Sequence, residues 1–320
     1  MPLAEAGPVR PQPAHEVNEQ LQRTLARIPE LAERAREGYR ATRLASFTNA
    51  TYRLDVGGEC FALRLPGPGT ERYIDRAREA RNAAVAAAAG VAPELVWFDR
   101  IDGAMLTRWV AGCTTTPQSL RQRDVGRRAA LTLRRLHRLR ARFRGRFDVF
   151  AAIADYEAML AVASVPLPAA YAELAGSVRL IEQALAERPA KLVPCHNDPY
   201  PGNLVDTGAT VCLVDWEYAA MGDPMWDLAD LSVESGSTSA DDEALLETYY
   251  GGRVPAASSH RFGLLQVMSD VAWGVWSYVQ LLSADPAVDY AEYGLARFAA
   301  AHQRLSTLSP RRLATAAGAT

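Results

Sequence analysis

The chain has 320 residues, of which 49% are hydrophobic and 22% are charged, and its formal net charge is −2. This length suits two lobes or two small domains better than one small core. The near-neutral charge gives no general indication of nucleic-acid or anionic-membrane binding, and no apolar run reaches the roughly 18 residues of a membrane span. The cysteines lie far apart without a C-x-x-C pair, and the N-terminus lacks the basic-then-apolar order of a signal peptide. We therefore expect reduced thiols in a cytoplasmic protein.

The first third of the chain predicts a helix followed by a β-hairpin. Residues 16–37 have helical spacing, with a break near the proline in their middle. The period then changes to two, and Gly57 and Gly58 predict a tight turn between strands over 50–56 and 59–65. The two faces of the second strand are Phe61, Leu63 and Leu65 on one side and Cys60, Ala62 and Arg64 on the other.

The rest of the chain is predicted to be mostly helical, with one interruption. After a helix over 71–89 and strands over 94–98 and 104–110, the expected helices are 122–142, 151–163, 169–187, 241–250, 259–283 and 289–307. A strand–loop–strand segment over 192–216 interrupts them. A sheet-rich first third and a helix-rich remainder predict an α+β fold of two lobes with a cleft between them. The expected division is a loose tail over 1–14, an N-terminal lobe over 15–110, a C-terminal lobe over 111–308 and a second tail over 309–320.

The segment that carries most chemistry covers residues 192–231, LVPCHNDPYPGNLVDTGATVCLVDWEYAAMGDPMWDLADL. Phosphoryl transfer requires a carboxylate that orients the attacking hydroxyl and takes its proton, and oxygen ligands that hold Mg²⁺ against the phosphates. Asp198, on a loop after a short strand, is the candidate base, and Asn203 can turn back as a neutral Mg²⁺ ligand. Asp215, at the end of the next strand, can supply the charged ligand, and Glu217 can assist with a second metal ion.

The order D-x4-N, followed by an apolar strand that ends in Asp, resembles the catalytic and metal-binding loops of protein-kinase-like enzymes. Residues 196–198, HND, replace the protein-kinase H-R-D, and residues 215–217, DWE, replace D-F-G. This variant resembles the aminoglycoside phosphotransferase and choline/ethanolamine kinase branch. The resemblance covers residues 44–303 and implies a bilobal protein-kinase-like fold and an ATP- and Mg²⁺-dependent kinase. It also implies that Asp227 and His196 support the catalytic loop.

A kinase of this type needs a cation on the third strand to hold the α- and β-phosphates, and a glutamate on the next helix to steady it. The chain has a single lysine, Lys191, which lies far from this region. Arg64 is therefore the candidate cation, because a guanidinium can bind phosphate in bidentate fashion, and Glu79 is its candidate partner. The segment around them resembles the choline/ethanolamine kinase pattern, in which an arginine occupies this place. A P-loop kinase is excluded, since no GxxxxGK[ST] is present.

Two further nucleotide contacts are expected. The loop over 45–52, ASFTNATY, would cover the phosphates. Its candidate contacts are Ser46, Thr48 and Asn49. The resemblance alone implies that adenine lies against the inter-lobe segment 107–110. The contacts implied there are Arg108, Trp109 and Val110.

The last helices predict a site for a cationic group. Trp273 and Trp276 are three residues apart and share a helix face. With Tyr293 and the carboxylate of Glu234 they could hold an ammonium group through cation–π attraction of about 1–2 kcal/mol per contact. Two tryptophans at this spacing more often belong to a core. However, the sequence WGVWS resembles the choline-pocket helices of choline/ethanolamine kinases, and Glu234 falls where that family has its ammonium-contacting acid.

These observations predict phosphorylation of a small amino alcohol, choline first and ethanolamine second, with no nucleic-acid partner and with the oligomeric state open, a dimer included. An aminoglycoside, thiamine or another small alcohol is the alternative, since residues 232–247 hold several acids that would suit a polycation. A catalytically silent ammonium-binding protein is a third reading, against which the retained catalytic positions argue. The eleven arginines within 121–146 are expected to form a solvated helix face.

Overall fold

A computed structural model describes residues 14–44, 49–67, 69–282 and 288–308 of the chain. Its helices are α1 (Ala14–Leu25), α2 (Arg34–Glu37), α3 (Arg76–Ala88), α4 (Pro117–Leu120), α5 (Arg123–His137), α6 (Val149–Val162), α7 (Ala169–Ala172), α8 (Ala175–Glu187), α9 (Pro224–Ser235), α10 (Ser239–Tyr250), α11 (Ala256–Gln280) and α12 (Tyr290–Thr307). Its strands are β1 (Tyr39–Arg43), β2 (Ala50–Val56), β3 (Glu59–Leu65), β4 (Leu95–Phe98), β5 (Met105–Arg108), β6 (Cys113–Thr114), β7 (Val193–Cys195), β8 (Leu204–Asp206), β9 (Val211–Leu213) and β10 (Ala220–Gly222). Within these ranges, none of the helices has the length and apolarity that crossing a membrane requires.

The N-terminal lobe is built on a five-stranded antiparallel sheet in the order β1-β2-β3-β5-β4. The predicted β2–β3 hairpin is confirmed residue for residue, with Val56 opposite Glu59. Gly57 and Gly58 have φ angles of 57° and 77°, a left-handed conformation that suits glycine and matches the twist of a two-residue hairpin. The hairpin therefore fixes which residues of β3 point towards the cleft.

The two faces of this sheet have different partners. The outer face packs in an apolar cluster with α1 and the turn after it, and this cluster includes Phe61, Leu63 and Leu65. Alternation along β3 turns Arg64 to the inner face, towards α3 and the second lobe. One buried guanidinium thereby enters the cleft from an otherwise apolar strand.

The C-terminal lobe is mainly helical and surrounds α11. Every residue of α11 from position 264 to 280 is buried, and its neighbours include α6, α9 and α12. Two small antiparallel sheets, β7–β10 and β6–β8–β9, hold the loops that carry the catalytic motifs. The α+β, bilobal fold expected from the sequence is thus confirmed.

Several elements, including the first helix, β1 and α9, differ from the predictions. The helix predicted over 16–37 ends at Leu25 and continues as turns and the short α2, and strand β1 over Tyr39–Arg43 follows. The β1 strand was not predicted because none of its residues is fully buried, which gives a weak alternation. Helix α9 was missed for the opposite reason. All of its residues from position 225 to 235 are buried, so its acidic residues, which recur at helical spacing at positions 227, 230 and 234, do not mark a solvent-exposed face.

Candidate active site

The predicted base and its neighbour lie together on the loop that follows β7. Asn203 ends a short 3₁₀ turn, and its amide Nδ2 donates to Asp198 Oδ2 at 3.0 Å and to the Asp198 carbonyl oxygen at 3.1 Å. The amide oxygen of Asn203 remains as a possible metal ligand. Burial raises the pKa of Asp198 well above its usual range, and the negative charges of Asp230 and Asp215 raise it further. Asp198 is therefore a stronger base than an ordinary carboxylate.

The backbone of this loop is held by Asp227, in the first turn of α9. Its two oxygens accept the backbone N–H groups of His196 and Asn197, each at 2.8 Å, and Oδ2 also lies 2.9 Å from His137 Nε2. Asn197 has a φ of 67°, an uncommon conformation for a residue other than glycine. A fully buried carboxylate that satisfies two adjacent amides can hold such a turn.

His196 supports the same loop with its ring. Its Nε2–H donates to the carbonyl oxygen of Val214 at 3.0 Å, next to Asp215. Burial lowers the pKa of His196, so the ring is neutral at neutral pH. Together with a bond from the Val214 N–H to the Asn203 carbonyl oxygen at 2.9 Å, this contact ties the catalytic loop to the strand that ends at Asp215.

Asp215 receives contacts from both lobes. It has a φ of 63°, again left-handed, immediately after β9. Its Oδ1 lies 2.5 Å from Arg64 Nη1, and its Oδ2 accepts from Asn49 Nδ2 at 3.1 Å. Arg64 Nη2 forms an ion pair with Glu79, so the predicted phosphate-holding pair is also assembled. The sequence could not have given the strained backbone at Asp215, because it reflects the tertiary contacts.

Three carboxylates of this region form one cluster. Oxygens of Glu79, Asp215 and Glu217 all lie within 4.8 Å of one another. A second guanidinium, which sequence reasoning missed, balances them: Arg76 Nη1 lies 2.8 Å from Glu79 and 3.4 Å from Glu217. Burial raises the pKa of Glu217 to about 8, and the charge of Asp215 adds to this shift. Burial alone would lower the pKa of Arg64, but the neighbouring carboxylates raise it above its usual value.

This cluster fits a site for Mg²⁺. Three carboxylates face two guanidiniums, and carboxylate oxygens are ligands that Mg²⁺ prefers. The side chain of Asp215 is 23% exposed, whereas Glu79 and Glu217 are 0% and 5% exposed, so Asp215 is the member that faces the open cleft. Asp215, with Glu217 behind it and Asn203 on the adjoining loop, has the chemistry of the predicted donor set.

The remaining nucleotide predictions have mixed outcomes. Ser46 and Thr48 lie outside the described residues. Asn49 is described, and its amide lies between Asp215 and Glu217 at 3.1 and 3.4 Å.

Residues of the segment 107–110, which is expected to contact adenine, make several contacts with the rest of the N-terminal lobe. Arg108 lies opposite Phe61, stacks its guanidinium over that ring at 4.9 Å and pairs with Glu59, so its side chain points to the outer face of the sheet. The N–H of Trp109 donates to the Cys60 carbonyl oxygen at 3.1 Å. Val110 is half-buried. The N–H of Arg108 also donates, to the Glu94 carbonyl oxygen at 2.9 Å, so the backbone N–H groups of Arg108 and Trp109 are both used within the N-terminal lobe.

The predicted tryptophans belong to a larger aromatic cluster. The rings of Trp273 and Trp276 meet edge to face, with centroids 5.8 Å apart and an interplanar angle of 89°. Tyr218 packs against Trp273 at 5.7 Å, and Tyr290 packs against Trp276 at 6.1 Å. Tyr218 was not predicted as part of this site. It follows Glu217 directly, so the aromatic cluster adjoins the acidic one.

The structure differs from the expectation for Glu234 and Tyr293. Glu234 forms an ion pair with Arg297, and the Tyr293 hydroxyl accepts from Arg297 Nε at 2.8 Å. Both predicted substrate contacts are thus engaged by one buried guanidinium. Sequence reasoning missed Arg297 because its role depends on how α12 lies beside α9. It also assigned no role to Asp230, which accepts from Trp273 Nε1 at 2.6 Å.

Most of the acidic side chains within 232–247, which were expected to suit a polycation, form hydrogen bonds or ion pairs within the protein. Asp241 accepts from the N-cap residue Thr238, and Asp242 accepts from Ser232 and from Gln266 Nε2 at 2.9 Å. With Glu234 paired, three of the five predicted acids have intramolecular partners.

Comparison with known proteins identifies relatives that are similar to this chain over most of its length. The model of the phosphotransferase enzyme family, APH, matches residues 40–263. A choline/ethanolamine kinase family protein from Mesorhizobium loti is 38% identical and superposes with a TM-score of 0.82 over 93% of this chain and 98% of that one. Choline kinase LicA from Streptococcus pneumoniae superposes with a TM-score of 0.77 at 23% identity, over 91% and 99% of the two chains. Protein LicA of Haemophilus influenzae is 28% identical over 268 residues, which are 82% of this chain and 99% of that protein.

The family match covers more than half of the chain, and the similarity to the Mesorhizobium loti protein extends over almost all of it. Residues 196–217, which contain the predicted catalytic and metal-binding motifs, lie within the matched range. The chain therefore belongs to the phosphotransferase enzyme family, in its choline/ethanolamine kinase branch, and is a kinase.

Proposed function

We propose that this kinase transfers the γ-phosphate of ATP to the hydroxyl of a small amino alcohol, choline first and ethanolamine second, and that it requires Mg²⁺. The observation that carries the proposal is the adjacency of the two clusters. Glu217 belongs to the acidic cluster, and the next residue, Tyr218, packs against Trp273 of the aromatic cluster. A short molecule with a hydroxyl at one end and a cation at the other would place its hydroxyl at the acidic cluster and its cation at the aromatic cluster.

Asp198 serves as the base in this proposal. Asn203 occupies Oδ2, so Oδ1 is the oxygen that receives the proton of the substrate hydroxyl. The raised pKa of Asp198 favours that transfer. The fixed amide also orients the carboxylate, which lowers the entropic cost of reaching the reactive geometry.

Arg64 holds the phosphates from the N-terminal lobe, while Glu79 and Arg76 fix its position through the buried ion-pair network. Asp215, Glu217 and Asn203 would hold Mg²⁺, which when bound neutralises charge on the phosphates. The contact between Arg64 and Asp215 joins the two lobes across the cleft, and phosphates would bind beside these two groups.

A panel of alcohols tests the proposal. ADP release would be measured with choline, ethanolamine, thiamine and an aminoglycoside, each with and without Mg²⁺. We expect turnover with choline or ethanolamine that requires Mg²⁺, and no turnover with either in the Asp198→Asn variant. Turnover with an aminoglycoside or thiamine but with no amino alcohol would overturn the proposed substrate class.

A further inference from the structure

The region behind the aromatic cluster contains more buried negative charge than its arginines neutralise. Glu234 forms an ion pair with Arg297. Asp270 lies 3.1 Å from Arg297 and 2.8 Å from Arg304. Asp230, on the same helix as Glu234, has no ion pair within 4.0 Å among the residues that the structure describes. Three carboxylates therefore share two guanidiniums, and Asp230 is the one that Arg297 influences only from beyond ion-pair distance.

The environment of Asp230 indicates where the positive charge of a ligand would bind. Its side chain is 0% exposed. Oδ1 accepts from Ser269 Oγ at 2.7 Å and from Trp273 Nε1 at 2.6 Å. Oδ2 has no hydrogen-bond partner in the described parts of the chain. A buried carboxylate oxygen without a partner is costly, so its retention indicates a ligand whose positive charge compensates it.

Asp230 also lies within electrostatic reach of the reacting groups. Its charge contributes to the raised pKa of Asp198 and to that of Tyr293. Through Trp273 it is in direct contact with the ring that meets both Trp276 and Tyr218. Asp230 therefore lies beside the aromatic cluster and near enough to Asp198 to influence its pKa.

We propose that Asp230, and not Glu234, is the carboxylate that receives the positive charge of the substrate. This inference rests on the proposed function and makes it more specific. One uncompensated negative charge next to the rings selects an alcohol with a single cationic group close to its hydroxyl. Glu234 instead holds Arg297, which in turn positions Tyr293.

The test compares choline with 3,3-dimethylbutan-1-ol, its neutral carbon isostere, in wild type and in Asp230→Asn. The variant keeps an oxygen that can accept from Trp273 and Ser269 but removes the charge. We expect its KM for choline to rise at least about 30-fold, its KM for ATP to stay unchanged, and its preference for choline over the isostere to fall by a similar factor.

Two other variants complete the set. Asp242→Asn is the matched control, because it makes the same change at a half-buried carboxylate bonded to Ser232 and Gln266. Glu234→Gln represents the rival assignment.

The outcomes separate the inference from the function it rests on. Loss of preference in Asp230→Asn, with preference retained in Asp242→Asn and Glu234→Gln, supports the inference. If Asp230→Asn keeps the wild-type preference while Glu234→Gln loses it, Asp230 is not the contact. The wild-type arm requires no variant to fold: equal use of choline and the isostere also overturns the role of Asp230, whereas no turnover with any amino alcohol overturns the proposed function itself. Melting temperature and KM for ATP establish that each variant is folded.

Discussion

A guanidinium at position 64 contacts two acidic side chains at the same time. Its Nη2 meets Glu79 on α3, and its Nη1 lies 2.5 Å from Asp215 at the end of β9. An ammonium group is a compact point charge and cannot span two carboxylates with the planar geometry that guanidinium offers. Arg64 therefore links the helix of one lobe to Asp215, the proposed metal ligand, in the other.

Replacing Arg64 by lysine tests that link. We expect Arg64→Lys to raise KM for ATP by about tenfold, because one charged hydrogen bond is lost while the positive charge remains. KM for the amino alcohol should change little. Arg128→Lys is the matched control, since Arg128 makes a two-point contact with Asp206 at 2.8 and 2.7 Å, outside the acidic cluster. Equal increases in both KM values for Arg64→Lys would contradict a role in nucleotide binding.

For the aromatic cluster we predict the opposite pattern: a substitution should change KM for the alcohol and leave KM for ATP unchanged. Trp273→Leu removes a ring face but retains an apolar side chain, so we expect KM for choline to rise about tenfold through lost cation–π attraction. KM for ATP should stay near its wild-type value. Trp97→Leu, at a half-buried position of β4, serves as the control in steady-state kinetics. An unchanged KM for choline would show that Trp273 is a core residue only.

At the scale of elements, α9 connects the two functional clusters. Its first turn carries Asp227, which holds the catalytic loop, and one turn later it carries Asp230, which contacts Trp273. Because the helix is buried on all sides, both carboxylates are removed from water and each must find a partner in the protein or its ligand. A shift of α9 would therefore change the base and the cation pocket together.

The elements also differ in how far sequence could predict them. The β2–β3 hairpin follows from local alternation and two adjacent glycines, so its register was predicted correctly. Helix α9 has an aspartate N-cap, a proline at its first position and a glycine after its end, local signals that the prediction did not use. The pairing of Glu234 with Arg297 joins residues 63 positions apart and depends on helix packing, so sequence spacing could not reveal it. Motif order located Asp198, Asn203, Asp215 and Glu217, but the buried charge balance required the tertiary structure.

The support that Asp227 gives to the catalytic loop can be measured. Asp227→Asn replaces an oxygen that accepts an N–H by an amide that must donate, so we expect it to lower the free energy of unfolding by about 3 kcal/mol and to lower kcat. Asp148→Asn makes the same change at the N-cap of α6, where asparagine caps equally well, and should be nearly neutral. Urea unfolding and steady-state kinetics check both. A variant with normal kcat would show that the loop keeps its shape without this carboxylate.

At the scale of the whole molecule, buried charge should make stability depend on pH. Burial is the largest cause that raises the pKa of Asp230, to about 6, and the charge of Asp227 adds to it. The pKa of an unfolded aspartate is about 3.9. The folded protein therefore binds this proton more tightly, and its contribution to stability is present below about pH 4 and is lost as pH rises through about 6.

The side chain of residue 230 cannot titrate in Asp230→Asn. The difference in free energy of unfolding between this variant and wild type should therefore change by about 2–3 kcal/mol in favour of the variant between about pH 4 and pH 7. Asp206→Asn provides a comparison of opposite sign, because hydrogen bonds from Arg128 lower the pKa of Asp206 and its contribution is lost as pH falls. Urea unfolding across this pH range measures both differences. A difference for Asp230→Asn that does not vary with pH would contradict a raised pKa at this position.

The use of arginine at position 64 has a consequence for chemical labelling. Nucleotide analogues that carry an acyl phosphate modify amines, and the nucleotide cleft of this kinase presents guanidiniums instead. The single lysine, Lys191, is exposed and precedes β7. Such a reagent should leave Arg64 unmodified, and any acylation of Lys191 should persist when excess ATP competes. Intact-protein mass spectrometry would distinguish this pattern from that of a kinase with an amine in its cleft.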